Sequence, residues 1–125
     1  MSTQRTILVL AASAALVLSG TISALAHAHL VRAIPAVGGT VQTPPSEVTL
    51  RFNEKLEAKF SSVVVRDAAG NQVDKGDGSV DKSDRTLMRV QLQQPVAPGV
   101  YKVEWKVMSA DTHKVDGSFT FKVGE

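Results

Sequence analysis

The three histidines of this chain lie in two short clusters, and their positions are typical of a metal site assembled from distant parts of one domain. His27 and His29 follow a run of small apolar residues, and His113 stands two residues after Asp111 near the C-terminus. A histidine that proteolysis makes N-terminal offers its α-amine and its imidazole to one ion, and an Asp-x-His segment offers a carboxylate and a second imidazole. Open, nitrogen-rich ligand sets of this kind suit Cu(II).

The N-terminal segment has the features of a secretory signal. Arg5 supplies a short basic region, residues 7–18 are almost entirely apolar, and Ala-Leu-Ala at 24–26 matches the small-x-small rule for signal peptidase. The apolar run is too short for a permanent membrane anchor, and no second run follows it. We therefore expect residues 1–26 to be removed, leaving one soluble domain over 27–125, without direct insertion into a membrane.

Two copper-binding arrangements are open to the processed chain. In the first, the amine and ring of His27 join Asp111 and His113, which supplies three nitrogens and one oxygen. In the second, the segment His27-Ala28-His29 wraps Cu(II) or Ni(II) in a plane with its amine, two deprotonated backbone amides and the His29 ring, and it needs nothing from the fold. Cleavage before His29 also fits the small-x-small rule and would make that residue the terminal ligand. A third interpretation is that the Asp-x-His segment is an ordinary exposed loop.

Composition excludes several other classes of function. The chain contains no cysteine, so disulfides, thiolate ligands, cysteine nucleophiles and a lipid-modified cysteine are excluded. The formal net charge of +2 is close to neutral, which gives no electrostatic argument for binding nucleic acid or an anionic membrane.

Alternation of apolar and polar residues with period two indicates an all-β domain. In 100–108 the odd-numbered residues are Tyr, Val, Trp and Val, and Lys or Glu occupies most of the positions between them. The polar segment 73–84 predicts a long loop with at most a weak edge strand, and 54–59 is the only candidate for a helical turn. About seven short strands predict an antiparallel Greek-key β-sandwich. The predicted strands with the clearest pattern are 29–34, 47–53, 60–66, 86–92, 100–108 and 117–123.

Several segments together resemble the CopC family of bacterial periplasmic copper-binding proteins. The resemblance extends over essentially the whole of 27–125, and the combination is far more specific than any single segment. The residues that carry it are His-Ala-His-Leu at 27–30, Ala-Ile-Pro at 33–35, Leu-Arg-Phe-Asn-Glu at 50–54, Pro-Gly-Val-Tyr-Lys-Val-Glu-Trp at 98–105, Ser-Ala-Asp-Thr-His at 109–113 and Gly-Ser-Phe-Thr-Phe-Lys-Val at 117–123.

The resemblance implies a cupredoxin-like or immunoglobulin-like sandwich that binds one Cu(II) per chain. The family's ligands fall on His27, Asp111 and His113. Glu54 matches a position where a carboxylate could orient a ligand ring, although it could equally be an ordinary surface charge. His29 remains a possible alternative ligand.

The resemblance further implies a monomeric binding protein, not an enzyme, that sequesters or shuttles copper for copper homeostasis and resistance. Its location would be the periplasm, or the cell surface if the source has a single membrane. A membrane copper-transport protein would be the partner that receives the metal.

One branch of the family carries a methionine-rich loop for Cu(I), and this chain departs from it. Met88 and Met108 lie in predicted strands and the 73–84 loop has no methionine, so we expect both residues to serve packing.

The alternative function is a copper monooxygenase, which also uses an N-terminal histidine. The low aromatic content, 5%, and a carboxylate ligand at Asp111 favour binding over oxygen activation.

Overall fold

A computed structural model describes residues 27–125, so the predicted signal peptide lies outside the described part of the chain. This part folds into eight strands and one short 3-10 helix, η1. The strands are β1 (Leu30–Ile34), β2 (Thr40–Val41), β3 (Glu47–Phe52), β4 (Ser62–Arg66), β5 (Ser79–Val80), β6 (Leu87–Gln91), β7 (Gly99–Met108) and β8 (Lys114–Val123), and η1 spans Ala58–Phe60.

The strands form two four-stranded sheets that pack face to face as a sandwich. The first sheet has the order β1-β3-β6-β5 and the second the order β2-β8-β7-β4. The chain crosses repeatedly between the sheets, as expected for a Greek-key sandwich. Pairing is antiparallel throughout the described strands except between β2 and β8, which run parallel. The predicted all-β sandwich is confirmed. The described residues form eight strands where about seven were predicted, and two of the eight, β2 and β5, are only two residues long.

Apolar side chains from alternate positions of both sheets fill the space between them. Leu50 and Phe52 of β3 alternate with exposed or half-exposed neighbours, as the period-two pattern requires. Phe52 meets Trp105 of β7 edge to face, with ring centroids 5.9 Å apart. Met88 is fully buried in this core, whereas Met108 is half-buried. The core therefore spans both sheets and holds them in a fixed relation.

Some boundaries differ from the sequence-based expectation. β8 begins at Lys114 and not at 117, because it pairs with β7 along the whole length from Gly99↔Val123 to Met108↔Lys114. The helical turn lies at the end of the 54–59 segment, in η1. The 73–84 loop contains only the two-residue edge strand β5, as predicted. Within residues 27–125 no helix has the length and apolar character needed to cross a membrane.

Candidate metal centre

Residues 27–29 are attached to the sandwich immediately before β1. The Ala28 side chain is buried, with 1% exposure, between the exposed side chains of His27 and His29. The main-chain N–H of His29 donates to Oδ1 of Asn53 over 2.6 Å, and the N–H of Asn53 donates to the carbonyl oxygen of His29 over 3.1 Å. These bonds extend the β1–β3 ladder by one residue, so the direction in which His27 leaves the sheet is set by the fold.

The loop that joins β7 to β8 carries the second histidine. Its ends are tied by a bond from the N–H of Ser109 to the carbonyl of His113, 3.0 Å, and its turn by a bond from the N–H of Thr112 to the carbonyl of Ser109, 2.8 Å. Thr112 adopts a left-handed conformation with φ of 72°, which is unusual for a β-branched residue. The loop is also held to the segment after β3, since the N–H of Ala110 donates to the carbonyl of Lys55 over 2.9 Å.

The Asp111 carboxylate is oriented inside this loop by hydrogen-bond donors. The hydroxyl of buried Ser109 donates a very short hydrogen bond to Oδ1, and the N–H of His113 approaches the same oxygen at 3.4 Å. The Ser109 hydroxyl is the main cause that lowers the pKa of Asp111 below its ordinary value, with smaller contributions from His113. Asp111 is therefore kept ionised and its rotamer is restrained.

The rings of His27 and His113 meet at one end of the sandwich. Their centroids are 5.2 Å apart and their planes make an angle of 62°. Nδ1 of His113 lies 3.2 Å from Oδ2 of Asp111 but is not aligned for a hydrogen bond, and this buried atom has no hydrogen-bond partner in the described part of the chain. A buried nitrogen without a partner is costly unless something else satisfies it. The donor set thus fits a cation that takes imidazole nitrogen and carboxylate oxygen.

The three side chains do not yet form a complete coordination shell. Within residues 27–125 no three His, Cys, Asp or Glu side chains converge closely enough to hold a metal by themselves. One oxygen of the Asp111 carboxylate accepts a hydrogen bond from Ser109, and the other oxygen faces Nδ1 of His113.

The other two residues predicted for the site are Glu54 and His29. Glu54 is half-buried, but among the described residues no hydrogen bond or ion pair joins it to His27 or His113, so its orienting role stays a prediction. His29 is held through its main chain and its side chain is exposed.

Sequence reasoning missed Ser109 and Asn53, which orient the candidate ligands. For Ser109 the available signal was a hydroxyl two residues before Asp111 at the end of a strong strand. For Asn53 it was an amide side chain at the end of the 47–53 strand, where a capping hydrogen bond is common. The Ser109 signal lies beside its partner, whereas the Asn53 signal does not identify its partner, because His29 is 24 residues away in the sequence.

Two surface grooves lie on the outer faces of the sheets, and neither is lined by His27 or His113. One is bordered by Arg66, Glu104 and Asp116 on the second sheet, and the other by Arg32 and Arg51 on the first. Both are shallow and charged. Neither adds a substrate cavity to the histidine pair.

The described residues thus form a β-sandwich with two imidazole rings and a carboxylate at one end. The model of the CopC domain matches residues 30–124, and the chain belongs to the CopC family.

Similar proteins agree with this assignment. Copper resistance protein C of Pseudomonas syringae pv. tomato is 35% identical over 109 residues, which cover 82% of this chain and 86% of that protein. The copper transport protein CutJ of Bacillus subtilis (strain 168) is 31% identical over 103 residues, 82% of this chain, but the match spans only 19% of CutJ. The crystal structure of CopC from Methylosinus trichosporium OB3b has a TM-score of 0.69 at 31% identity, covering 78% of this chain and 94% of the other.

Proposed function

We propose that this protein is exported and binds one Cu(II) ion through His27, Asp111 and His113, which we call the terminal-histidine site. In this proposal residues 1–26 direct export and are removed, and the bound copper is sequestered or shuttled in the periplasm as part of copper resistance and homeostasis. An inner-membrane copper transporter would receive the ion. Copper is the cargo of the protein and not a catalytic cofactor.

The contact of the His27 and His113 rings is the observation that supports this function best. Two imidazoles from opposite ends of the described chain lie 5.2 Å apart, and Asp111 touches one of them. One carboxylate in the ligand set offsets part of the charge of a divalent ion. The names of the relatives, copper resistance protein C and copper transport protein CutJ, support copper as the metal.

The monooxygenase alternative lacks the surface that such an enzyme requires. Oxidation of a polysaccharide needs an open coordination position beside a face that holds the substrate, usually through aromatic rings. Of the six aromatic residues in this chain, Phe52, Tyr101, Trp105, Phe119 and Phe121 are buried and only Phe60 is exposed. We therefore propose binding and transfer of copper without redox catalysis.

The N-terminus provides the sharpest test of the proposal. A chain that begins at His27 should bind Cu(II) orders of magnitude more tightly than a chain with one extra alanine ahead of His27, because the extra residue removes the amine ligand. Affinity is measured by competition with a chromophoric chelator. Equal affinities of the two chains would disprove the terminal-histidine site.

Two histidine substitutions identify which ligands act. His113→Ala should lower the Cu(II) affinity and change the electron paramagnetic resonance spectrum, since it removes a ring nitrogen, whereas His29→Ala should change neither. The reverse result would assign the metal to the His27-Ala28-His29 segment. N-terminal sequencing of the exported protein, run in parallel, shows whether cleavage precedes His27 or His29.

A further inference from the structure

We propose that Asn53 and the buried Ala28 side chain determine which chelate forms, by preventing the His27-Ala28-His29 segment from wrapping a metal on its own. We call that three-residue arrangement the local chelate. The inference rests on the proposed function, because it explains why an N-terminus able to form the local chelate would deliver its metal to the terminal-histidine site instead.

The first constraint acts on the main chain of His29. Its N–H donates to Oδ1 of Asn53 at 2.6 Å, and its carbonyl accepts from the N–H of Asn53 at 3.1 Å. The local chelate needs this same nitrogen as a ligand in the metal plane. An ion cannot take the place that the Asn53 amide oxygen occupies, so the hydrogen bond must break before the local chelate closes.

The second constraint acts on Ala28. Its side chain is 1% exposed and belongs to the hydrophobic core. The local chelate also needs the Ala28 nitrogen in the metal plane, which requires the chain from 27 to 29 to curl around the ion. That movement would withdraw the Ala28 methyl group from the core, and loss of one buried carbon lowers the population of such a state by about fourfold.

Together the two constraints favour one metal geometry over the other. A typical hydrogen bond contributes about fivefold to an equilibrium constant, so the fold disfavours the local chelate by on the order of tenfold or more. The same constraints aim His27 at His113, whose ring lies 5.2 Å away. Asn53 is thus a positioning residue that selects a site built by the fold.

The test uses a background in which the terminal-histidine site is already disabled. Chains exported with their own leader and recovered with His27 at the N-terminus carry His113→Ala, so that the local chelate is the strongest site left. Adding Asn53→Ala should raise the affinity of this background for Cu(II), and separately for Ni(II), by about fivefold. The electron paramagnetic resonance spectrum of the copper form should show four nitrogens in a plane. In a variant that stays folded, loss of a residue with a merely structural role would not increase the affinity.

Three controls make the result specific. Asn71→Ala in the same background removes an exposed asparagine from the turn after β4 and should leave affinity unchanged. Adding His29→Ala should abolish the gain. Circular dichroism must show that the variants are folded, because an unfolded chain could form the local chelate whether or not Asn53 is present.

Ala28→Gly provides a second route to the same answer if Asn53→Ala destabilises the fold. It keeps the hydrogen bond to Asn53, removes the buried methyl group and should raise the affinity about fourfold. Unchanged or lower affinity in the folded Asn53→Ala and Ala28→Gly variants would overturn the inference. A wild-type chain that binds copper independently of both His113 and His29 would overturn the proposed function instead.

Discussion

At the scale of single residues, Asp111 combines a restrained rotamer with a negative charge. The Ser109 hydroxyl holds one carboxylate oxygen, and the other oxygen faces Nδ1 of His113. The side chain is 40% exposed, so it contributes little to the core. Its importance should therefore appear in metal binding and not in folding.

Asp111→Asn separates these two roles, because it keeps the shape of the side chain and removes the charge that helps neutralise a dication. We expect weaker Cu(II) binding in chelator competition and an unchanged melting temperature of the metal-free protein. Unchanged affinity would remove Asp111 from the ligand set. A large fall in melting temperature would show that its role is structural.

Ser109→Ala tests whether the serine acts through Asp111. Loss of the main hydrogen bond should raise the pKa of Asp111 toward its ordinary value, which an NMR titration of the carboxyl carbon measures. Copper affinity should fall by less than in Asp111→Asn, because the carboxylate is retained. The serine would have no positioning role if the pKa and the affinity both stayed the same.

At the scale of elements, the β7–β8 hairpin carries the loop that presents Asp111 and His113. Its ten paired positions fix the place of the loop, and Trp105 stands directly opposite Gly117 in this register. A Cβ atom at Gly117 would lie 2.5 Å from Cζ2 of the indole, so the glycine makes room for the ring. The hairpin thus depends on a glycine that is neither in a turn nor in an unusual backbone conformation.

Gly117→Ala should lower the free energy of unfolding by about 1–3 kcal/mol, the usual effect of overpacking. Chemical denaturation monitored by tryptophan fluorescence measures it, and the fluorescence of the displaced indole should change as well. Ser118→Ala, at the next and exposed position of β8, is the matched control and should stay within about 0.5 kcal/mol of wild type. Equal stability of the two variants would show that Trp105 moves without cost.

Thr112 is the strained point of the loop between the two strands. Left-handed conformations cost a β-branched residue about 1–2 kcal/mol, whereas asparagine tolerates them. Thr112→Asn should therefore raise the free energy of unfolding, by up to about 1 kcal/mol, in the same denaturation experiment. Ala110→Asn, two residues earlier in the loop, should give no such gain. A destabilised Thr112→Asn variant would mean that the hydroxyl bond to the Asp111 carbonyl outweighs the strain.

At the scale of the whole molecule, several loop carboxylates are hydrogen-bonded in the folded state and should control acid stability. The clearest is Asp84, whose pKa is lowered to about 2 by the hydroxyl and the N–H of Thr86, with a further contribution from Arg51. Asp67 and Asp81 have lowered pKa values for similar reasons. A carboxyl whose folded pKa is depressed stabilises the protein above its unfolded pKa, and this contribution is lost as the pH falls toward the folded value.

The metal-free protein should therefore lose stability between about pH 4, the unfolded pKa of aspartate, and pH 2. Asp84→Asn should make this loss smaller, because the variant cannot gain from ionisation at that position. Thermal melts across the acid range measure the effect. Asp116→Asn on β8 is the control and should follow wild type. An Asp84→Asn curve parallel to that of wild type would contradict the prediction.

The sequence alone was sufficient for the fold class and most of the strands, because burial on one face of a sheet imposes a period of two. The alternation in 100–108 identified β7, and the fully buried Met88 had been predicted as a packing residue from its place in a strand. The pairing of residue types at 27–29 and 111–113 was also enough to nominate the candidate ligands. Residue type and spacing are enough to indicate candidate ligands of this kind.

Only the tertiary structure could decide which residues meet across the fold. The strand pairing that starts β8 at Lys114 depends on β7, and the 114–116 segment read alone shows no clear strand pattern. The contact of His27 with His113, and the hydrogen bonds of Asn53 to His29, join residues far apart in the chain. Such contacts arise when two sheets close around a shared core, and their geometry depends on packing that no single segment encodes.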